Sequence, residues 1–204
     1  MNTDNIQPDL DTLYAAPSPM IEKAMLDRIV EFHEAYLRVA TFFCLATGRG
    51  DGLDASPRGG PPGFVHVLDP RQIAFADWPG NNRIESMRNI QADDRIAMLF
   101  LFPGLEVFLR INGHARVSIE PALLDRLKEG GRMPKAATVV AVDQVLFHCG
   151  KAVNRAGLWS PDAHIDRNTL PTVGKVLVAL ADLQDADADA FDAHYDHAVR
   201  HELY

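Results

Sequence analysis

The alternation of apolar and polar positions is clearest between residues 107 and 119. Odd positions there are Val, Leu, Ile, Gly, Ala, Val and Ile, whereas even positions are Phe, Arg, Asn, His, Arg and Ser. A period of two predicts a long β-strand with one face in a core. The second face carries cations and one aromatic ring, so we expect it to meet solvent, a ligand or another subunit.

Shorter apolar runs separated by turn residues predict the other strands. They are Thr41–Thr47, Phe64–Leu68, Gln72–Ala76, Ile96–Phe102 and Val139–Cys149, with a loop at Gly48–Gly52 and a hairpin turn at Asp69-Pro70. About six strands in the middle of the chain, with helical patterns at both ends, favour a small antiparallel barrel with helices packed outside.

Helical spacing flanks this central region. Ser18-Pro19 is a typical helix start, and the apolar residues that follow predict one helix to about residue 39. Glu120-Pro121 opens a short second helix, and residues 171–204 are predicted to be helical. We therefore expect a single domain over residues 1–204, with an N-terminal arm and helix (1–40), a barrel (about 41–150) and a C-terminal helical region (about 160–204).

Composition narrows the classes of function. The 204 residues are 47% apolar with a formal net charge of −8 and no dense Lys/Arg cluster, which argues against a nucleic-acid partner. No apolar run reaches the roughly 18–20 residues that span a bilayer. The first twenty residues contain no basic side chain, unlike a signal peptide, so we expect a cytoplasmic protein. Cys44 and Cys149 are expected to be reduced, buried apolar residues rather than a disulfide or a metal site.

The segment 55–90 carries the candidate chemistry. Its second half is a strand that leads through Pro79-Gly80 to a helix start, where Asn81 or Asn82 could cap the helix and Arg83 would project from the first turn. Free backbone N–H groups and a guanidinium suit phosphate. Arg58 could approach the same place if the two strands are neighbours. From the residues alone, an ordinary capped helix with solvated arginines is an equal alternative.

The motifs of this segment decide between these alternatives. The segment contains Ser-Pro-Arg-Gly-Gly followed by Pro-Gly-Phe, and then Gly-Asn-x-Arg and Ser-x-x-Asn-Ile. This series of motifs resembles the FMN-binding core of the pyridoxamine-phosphate-oxidase-like split-barrel flavoproteins, in particular a bacterial branch. The resemblance extends through residues 96–115 and, weakly, through 148–159. It implies a split β-barrel, noncovalent FMN and a homodimer with the cofactor site at the subunit interface.

The resemblance also implies roles for individual residues. Arg58 would contact the flavin edge or the phosphoribityl chain, the backbone at Ala76 and Asp77 would contact the isoalloxazine and ribityl groups, and Asn82 with Arg83 would bind phosphate. The family usually has two basic residues at the latter positions, so Asn82 would act as a neutral donor. The full set of expected cofactor-binding residues is Ser56, Arg58, Gly59, Ala76, Asp77, Asn81, Asn82, Arg83, Ser86, Phe108, Lys151, Arg155 and Trp159.

Two departures from the family bear on the reaction. Phe108 stands where the oxidases that define the family have an amide reaching the partner's flavin, and phenylalanine could only pack against the ring. The paired tryptophan and Arg-x-His elements of the substrate motif are not visible, which puts pyridoxamine-phosphate oxidation in doubt. The expected function is thus an FMN-dependent oxidoreductase with an unknown small-molecule substrate. The alternatives are a noncatalytic flavin store, or a deazaflavin- or heme-binding relative on the same barrel.

Histidine and aspartate clusters offer weaker alternatives. His194, His197 and His201 would share one helical face, which is more typical of solvated side chains than of a metal site. The repeat Asp185-x-Asp187-x-Asp189 lacks the glycine and glutamate of a calcium loop, so no metal is expected. His66 and His114 lie on predicted strands, and either could face the flavin.

Overall fold

A seven-stranded antiparallel sheet forms the centre of the computed structural model, which describes residues 7–50, 52–80, 82–183 and 186–203. The strands are β1 Phe42–Arg49, β2 Gly52–Gly59, β3 Val65–Asp69, β4 Gln72–Asp77, β5 Arg95–Leu101, β6 Val107–Ser118 and β7 Ala136–Cys149. The helices are α1 Leu10–Leu13, α2 Pro19–Lys23, α3 Glu31–Val39, α4 Glu85–Ala92, α5 Pro121–Arg126, α6 Lys151–Ala156, α7 Val173–Leu180 and α8 Ala188–His201. Short 3-10 turns cover Pro161–Ala163 and Arg167–Thr169.

The strand order is β2-β1-β5-β6-β7-β4-β3, with antiparallel neighbours throughout. The sheet curls strongly, because Phe43 on β1 contacts Phe75 on β4 with ring centroids 5.1 Å apart although three strands separate them in the order. The barrel stays open between β2 and the β3–β4 hairpin, since no pairing joins them in the described residues. The predicted mainly β split barrel with flanking helices is therefore confirmed, with one more strand than expected.

The alternating pattern of each strand fills the barrel. On β1 the inward residues Phe43, Leu45 and Thr47 are buried, whereas Cys44 between them is exposed. Burial of each large apolar side chain contributes about 1.5–3 kcal/mol. The largest fully buried side chains are Phe43, Phe100, Leu37, Leu45, Ile73, Met98, Leu109, Ile111, Leu127, Val140, Val145 and Thr47.

Strand β2 lies in a Gly/Pro-rich stretch whose apolar pattern predicts no strand. It is an edge strand, so the missing N–H of Pro57 need not interrupt a ladder on both sides. Ser56 lies opposite Leu45 and Arg58 opposite Phe43, and directly opposed residues share a face of the sheet. Their polar side chains therefore point to the interior side, at the open seam of the barrel.

The single helix predicted from Ser18 to about residue 39 is wrong. Helix α2 ends at Lys23 and α3 begins at Glu31. Between them, Leu26 forms an antiparallel bridge with Val145, with N–H···O distances of 3.0 and 2.7 Å. Strand β7 has a free edge there because its pairing with β4 stops at residue 141. Leu26 pairs with this edge of β7, so its backbone groups are not available for the helix that the apolar spacing predicted.

The capped helix start at Asn81 or Asn82 is also wrong. Helix α4 begins at Glu85, and Ile84, at the N-cap position, makes no side-chain capping bond. Asn82 has a φ of 59°, a left-handed conformation that asparagine tolerates in turns. Arg83 thus precedes the helix instead of lying in its first turn, and Asn81 lies outside the described residues.

The C-terminal region is helical, as predicted, and forms the antiparallel pair α7 and α8. Gly174 permits their close approach: a Cβ there would lie 2.0 Å from the carbonyl oxygen of Ala188. Its N–H also donates to Asp192 at 2.7 Å. Asp187 caps α8 by accepting from the backbone N–H groups of Asp189 and Ala190, an ordinary structural role. Asp185 lies outside the described residues.

Candidate functional site

A cavity of about 360 Å³ lies between strand β2, the turn before α4 and the first residues of α4. We call it the arginine cavity, and its lining residues are Asp54, Ala55, Ser56, Pro57, Arg58, Arg83, Glu85 and Ser86. Four side chains that the sequence assigned to the cofactor, Ser56, Arg58, Arg83 and Ser86, therefore come together. They reach it from two segments about 25 residues apart in the chain.

The two arginines of this cavity have different surroundings. Arg83 is exposed, and its Nε lies 3.5 Å from Oε1 of Glu85. Arg58 is half-buried, and desolvation lowers its pKa, opposed by the nearby carboxylates of Asp77 and Asp54. Burial likewise raises the pKa of Asp77, opposed by Arg58 and then by Lys135. Because screening by water is weaker around Arg58, we expect it to attract an anion more strongly than Arg83 does.

The N-terminus of α4 adds backbone donors. The N-cap residue Ile84 makes no side-chain capping bond, and the carboxylate of Glu85 accepts from its own backbone N–H; the helix dipole favours negative charge at this end. Ser86 in this turn is buried. The helix is anchored by a hydrogen bond of 3.0 Å from Asn89 Nδ2 to Thr47 Oγ1, both buried. Thr47 belongs to β1, the partner of β2, so this bond sets the position of α4 relative to Arg58.

The chemistry of these donors fits a phosphate group. Two guanidiniums, two hydroxyls and the N-terminus of a helix surround one cavity, and such groups bind phosphate in many proteins. The carboxylates of Asp54 and Glu85 line the same cavity and reduce its positive potential. Neither carboxylate was expected from the sequence, because the family motifs do not draw attention to those positions.

Three further residues expected near the cofactor, Gly59, Ala76 and Asp77, lie on the strands that border the seam. Gly59 is exposed at the end of β2, and Ala76 and Asp77 are half-buried at the end of β4. None of the three lines the arginine cavity. Asp77 is nevertheless close enough to Arg58 for each to alter the other's pKa. Asn82 is exposed in its turn.

A second cavity, of about 520 Å³, lies on the outer face of the sheet. We call it the outer-face cavity, and its lining residues are Cys44, Ala46, Ala55, Ala97, Met98, Leu99, Phe108, Arg110, His148, Cys149 and Ala152. Phe108, expected to contact the partner's flavin, is half-buried in this wall. The cavity is mostly apolar and open to the surroundings of the chain, so it is available to a partner or a ligand.

Lys151, Arg155 and Trp159 do not join the arginine cavity. Lys151 and Arg155 are exposed on α6. The Nε1 of Trp159 donates to the carbonyl of Leu105 at 2.9 Å and ties the segment after α6 to the turn between β5 and β6. Within one chain these residues have no contact with the proposed cofactor site, and their assignment to a partner's site stays a prediction.

The expectation that the two cysteines are buried is wrong. Cys44 and Cys149 are both exposed free thiols, and both line the outer-face cavity. A sequence signal for this face did exist, because residues 96–102 are apolar at consecutive positions. A strand that is apolar on both faces is typical of one that is covered on both faces. Only one of those faces is covered in this chain, since Leu99 is 37% exposed.

The histidines lie elsewhere. His114 is exposed between Asp94 and Asp143, with N···O distances of 2.8 and 3.2 Å, and hydrogen bonding to Asp94 raises its pKa. His66 is half-buried, and burial lowers its pKa. Neither lines the arginine cavity or the outer-face cavity.

The three histidines of α8 show no ligand geometry. The rings of His197 and His201 lie 4.9 Å apart, and His197 faces Glu202 at 3.6 Å. Within residues 7–50, 52–80, 82–183 and 186–203, no group of three or more His, Cys, Asp or Glu side chains could hold a metal ion. In the same part of the chain, none of the helices combines the length and apolar character that crossing a bilayer requires.

Comparison with known proteins identifies the family. The family model for pyridoxamine 5'-phosphate oxidase matches residues 29–149, which is more than half of the chain and includes all seven strands. The chain therefore belongs to the pyridoxamine 5'-phosphate oxidase family, as the motifs of residues 55–115 predicted. None of the curated proteins matches the chain at a significant level.

Solved structures with a similar fold include three of different descriptions. HupZ from Group A Streptococcus is 21% identical, with a TM-score of 0.46, over 57% of this chain and 92% of that protein. General stress protein 26 from Bacillus anthracis is 11% identical, with a TM-score of 0.45, over 55% and 88%. An F420 reductase is 21% identical, with a TM-score of 0.41, over 59% and 98%. These similarities concern the barrel and do not indicate a particular reaction.

Proposed function

We propose that this protein binds FMN and uses it as an oxidoreductase acting on a small molecule, with the FMN phosphate in the arginine cavity. The observation that supports this most directly is the convergence of Ser56, Arg58, Arg83 and Ser86 on one cavity at the N-terminus of α4. Family membership also supports it, because the family model matches residues 29–149, which include these four residues.

Each residue has a distinct part in this proposal. Arg58 supplies the less hydrated charge, Arg83 the exposed one, and the hydroxyls of Ser56 and Ser86 donate to phosphate oxygens. The backbone at Gly59, Ala76 and Asp77 borders the seam where the flavin would extend, and Asn82 acts as a neutral donor to the phosphate. Asn81 is proposed as a cofactor contact from the resemblance alone. Bound FMN would supply the redox chemistry, accepting or donating a hydride or electrons. The chain would hold the cofactor and exclude water.

We also propose a cytoplasmic single-domain protein that forms a homodimer. The outer face of the sheet is apolar and uncovered in the single chain, and such faces favour association. A two-fold dimer would place Phe108 of one subunit, and Lys151, Arg155 and Trp159 of the region around α6, against the partner's flavin, giving two equivalent sites. The alternatives remain a noncatalytic flavin store and a relative that binds deazaflavin or heme.

Flavin titration of the purified full-length protein tests this proposal. We expect stoichiometric binding of FMN with quenched flavin fluorescence, and weaker binding by Arg83→Ala. Arg88→Ala is the matched control, because Arg88 lies exposed on the same helix and does not line the cavity. Failure of the wild type to bind FMN, or equal binding by Arg83→Ala and wild type, would contradict the phosphate assignment.

Turnover and assembly separate the remaining possibilities. Oxidation of a reduced nicotinamide with an electron acceptor supports the enzyme, whereas tight FMN without any turnover supports the store. Light scattering combined with flavin stoichiometry tests the dimer. A monomer that holds one tightly bound FMN per chain at micromolar concentration would contradict the shared site and the role of Phe108.

A further inference from the structure

Glu85 places a carboxylate among the donors of the arginine cavity. It is the first residue of α4, and it lines the cavity together with Arg83. Its Oε1 lies 3.5 Å from Nε of Arg83, and its carboxylate also accepts a hydrogen bond from its own backbone N–H. One internal anion therefore contacts two of the donors that a phosphate would need.

The two contacts of Glu85 are chemically those of a bound phosphate. A guanidinium and a backbone N–H at the start of a helix both donate to phosphate oxygens in other proteins. An ionised carboxylate is an acceptor of the same kind. The backbone hydrogen bond and, less strongly, the charge of Arg83 hold the pKa of Glu85 below its ordinary value, so the group is ionised at neutral pH.

The second carboxylate of the cavity, that of Asp54, acts differently. Burial lowers the pKa of Arg58, and the charge of Asp54 opposes this effect after that of Asp77. In the part of the chain that the structure describes, no carboxylate lies within ion-pair distance of Arg58. Arg58 therefore keeps its donors for an incoming anion, whereas Arg83 and the start of α4 already contact Glu85.

We propose that Glu85 is an internal competitor of the cofactor's phosphate, and that its carboxylate holds Arg83 and the first N–H of α4 until a phosphate displaces it. The identity of the ligand rests on the proposed FMN function, whereas the competition follows from the contacts of Glu85. Riboflavin has the same ring system without a phosphate, so it binds without displacing Glu85. The carboxylate thus lowers the preference of the site for FMN over riboflavin.

Titration of the full-length protein with FMN and with riboflavin tests the proposal. Glu85→Gln keeps the size of the side chain and removes its charge. We expect this variant to bind FMN about two- to fivefold more tightly than the wild type, which is the range for an exposed ion pair. Its affinity for riboflavin should be that of the wild type. In an Arg83→Ala background, Glu85→Gln should raise FMN affinity less, because one of the two contested donors is gone.

Glu31→Gln is the matched control. Glu31 begins α3 as Glu85 begins α4, it is exposed, and it does not line the arginine cavity. The two substitutions change the net charge of the protein equally. Glu31→Gln should therefore bind FMN like the wild type.

Inorganic phosphate tests the competition without any flavin. Its binding at pH 7.5 is followed by NMR through the backbone amide of Ser86, which lines the cavity in the first turn of α4. Glu85→Gln should be half-saturated at about two- to fivefold less phosphate than the wild type. In the wild type, phosphate should also shift the side-chain carboxylate resonance of Glu85, a measurement that does not depend on any variant.

Three results would overturn the proposal: equal FMN affinity in wild type and Glu85→Gln, an equal gain for riboflavin, or an equal gain in Glu31→Gln. A Glu85 carboxylate resonance that does not move at saturating phosphate would also overturn it. Failure of the proposed function is distinguishable, because it appears as absent FMN binding in every variant while inorganic phosphate still binds more tightly to Glu85→Gln.

Discussion

Replacing Arg58 with methionine removes a half-buried charge but keeps an unbranched side chain of similar length. Arg58 and Asp77 are each partly buried and interact electrostatically. The charge of Asp77 raises the pKa of Arg58, and the charge of Arg58 lowers the pKa of Asp77, each against the effect of burial. The variant should therefore lose an anchor for phosphate and leave Asp77 without its main cation. Two separate measurements follow, one on the cofactor and one on stability.

The loss in FMN affinity can be bounded. A hydrogen bond to a charged group contributes about 1.5–3 kcal/mol, which corresponds to a weakening of roughly ten- to 150-fold in Kd. The effect should exceed that of Arg83→Ala, because Arg83 has 75% of its side chain exposed and water screens its charge more strongly. Fluorescence titration measures both variants, with Arg88→Met as a control on α4.

The loss in stability should depend on pH. The folded-state pKa of Asp77 is already raised by burial, and removing Arg58 raises it further. A carboxyl with a raised pKa costs nothing below its unfolded pKa of about 4, and its cost grows as pH rises through the folded value. Arg58→Met should thus resemble the wild type near pH 4 and be less stable by about 1 kcal/mol near pH 7.5, a figure reduced for solvent screening.

Urea unfolding at the two pH values measures this difference. The double variant Arg58→Met with Asp77→Asn is the control, since it removes the titrating group and should lose the added pH dependence. If Arg58→Met binds FMN like the wild type, Arg58 does not contact the phosphate. If its destabilisation is equal at both pH values, the coupling between Arg58 and Asp77 is wrong.

Three further predictions concern residues around the site. Asn89→Ala should lower the free energy of unfolding by about 1–3 kcal/mol, because it leaves the buried hydroxyl of Thr47 without its donor, and a wild-type urea midpoint would contradict this. The pKa of His114, measured by NMR, should lie above its ordinary value of 6.5 because of its contacts with Asp94 and Asp143. These contacts stabilise the fold fully below pH 6.5, and the stabilisation is lost as pH rises through the folded-state pKa. A pKa at the ordinary value would refute the ion pairs. Gly113→Ala should destabilise strongly, since its Cβ would lie 2.0 Å from the carbonyl oxygen of Ala141, and a Tm within one degree of wild type would exclude that contact.

The cofactor segment illustrates how far local reasoning extends. The Ser-Pro-Arg motif and the Asn-Arg turn were recognisable as one functional region in the sequence, and their side chains do line one cavity. The local structure was nonetheless misassigned, because α4 starts at Glu85 without an asparagine cap. Capping preference is a weak signal, and here the left-handed turn at Asn82 and the anchor at Asn89 determine where the helix lies.

Six of the seven strands and the barrel could be predicted from local patterns, because side chains alternate with a period of two and turns need particular residues; β2 is the exception. The period of Val107–Ser118 and the hairpin at Asp69-Pro70 are local properties that survive in the structure. Features that depend on residues distant in the sequence could not be predicted in this way. The free edge of β7 interrupts the first predicted helix at Leu26. The curl of the sheet brings Arg58 and Asp77, near opposite ends of the strand order, into one electrostatic environment, and no local pattern encodes that distance.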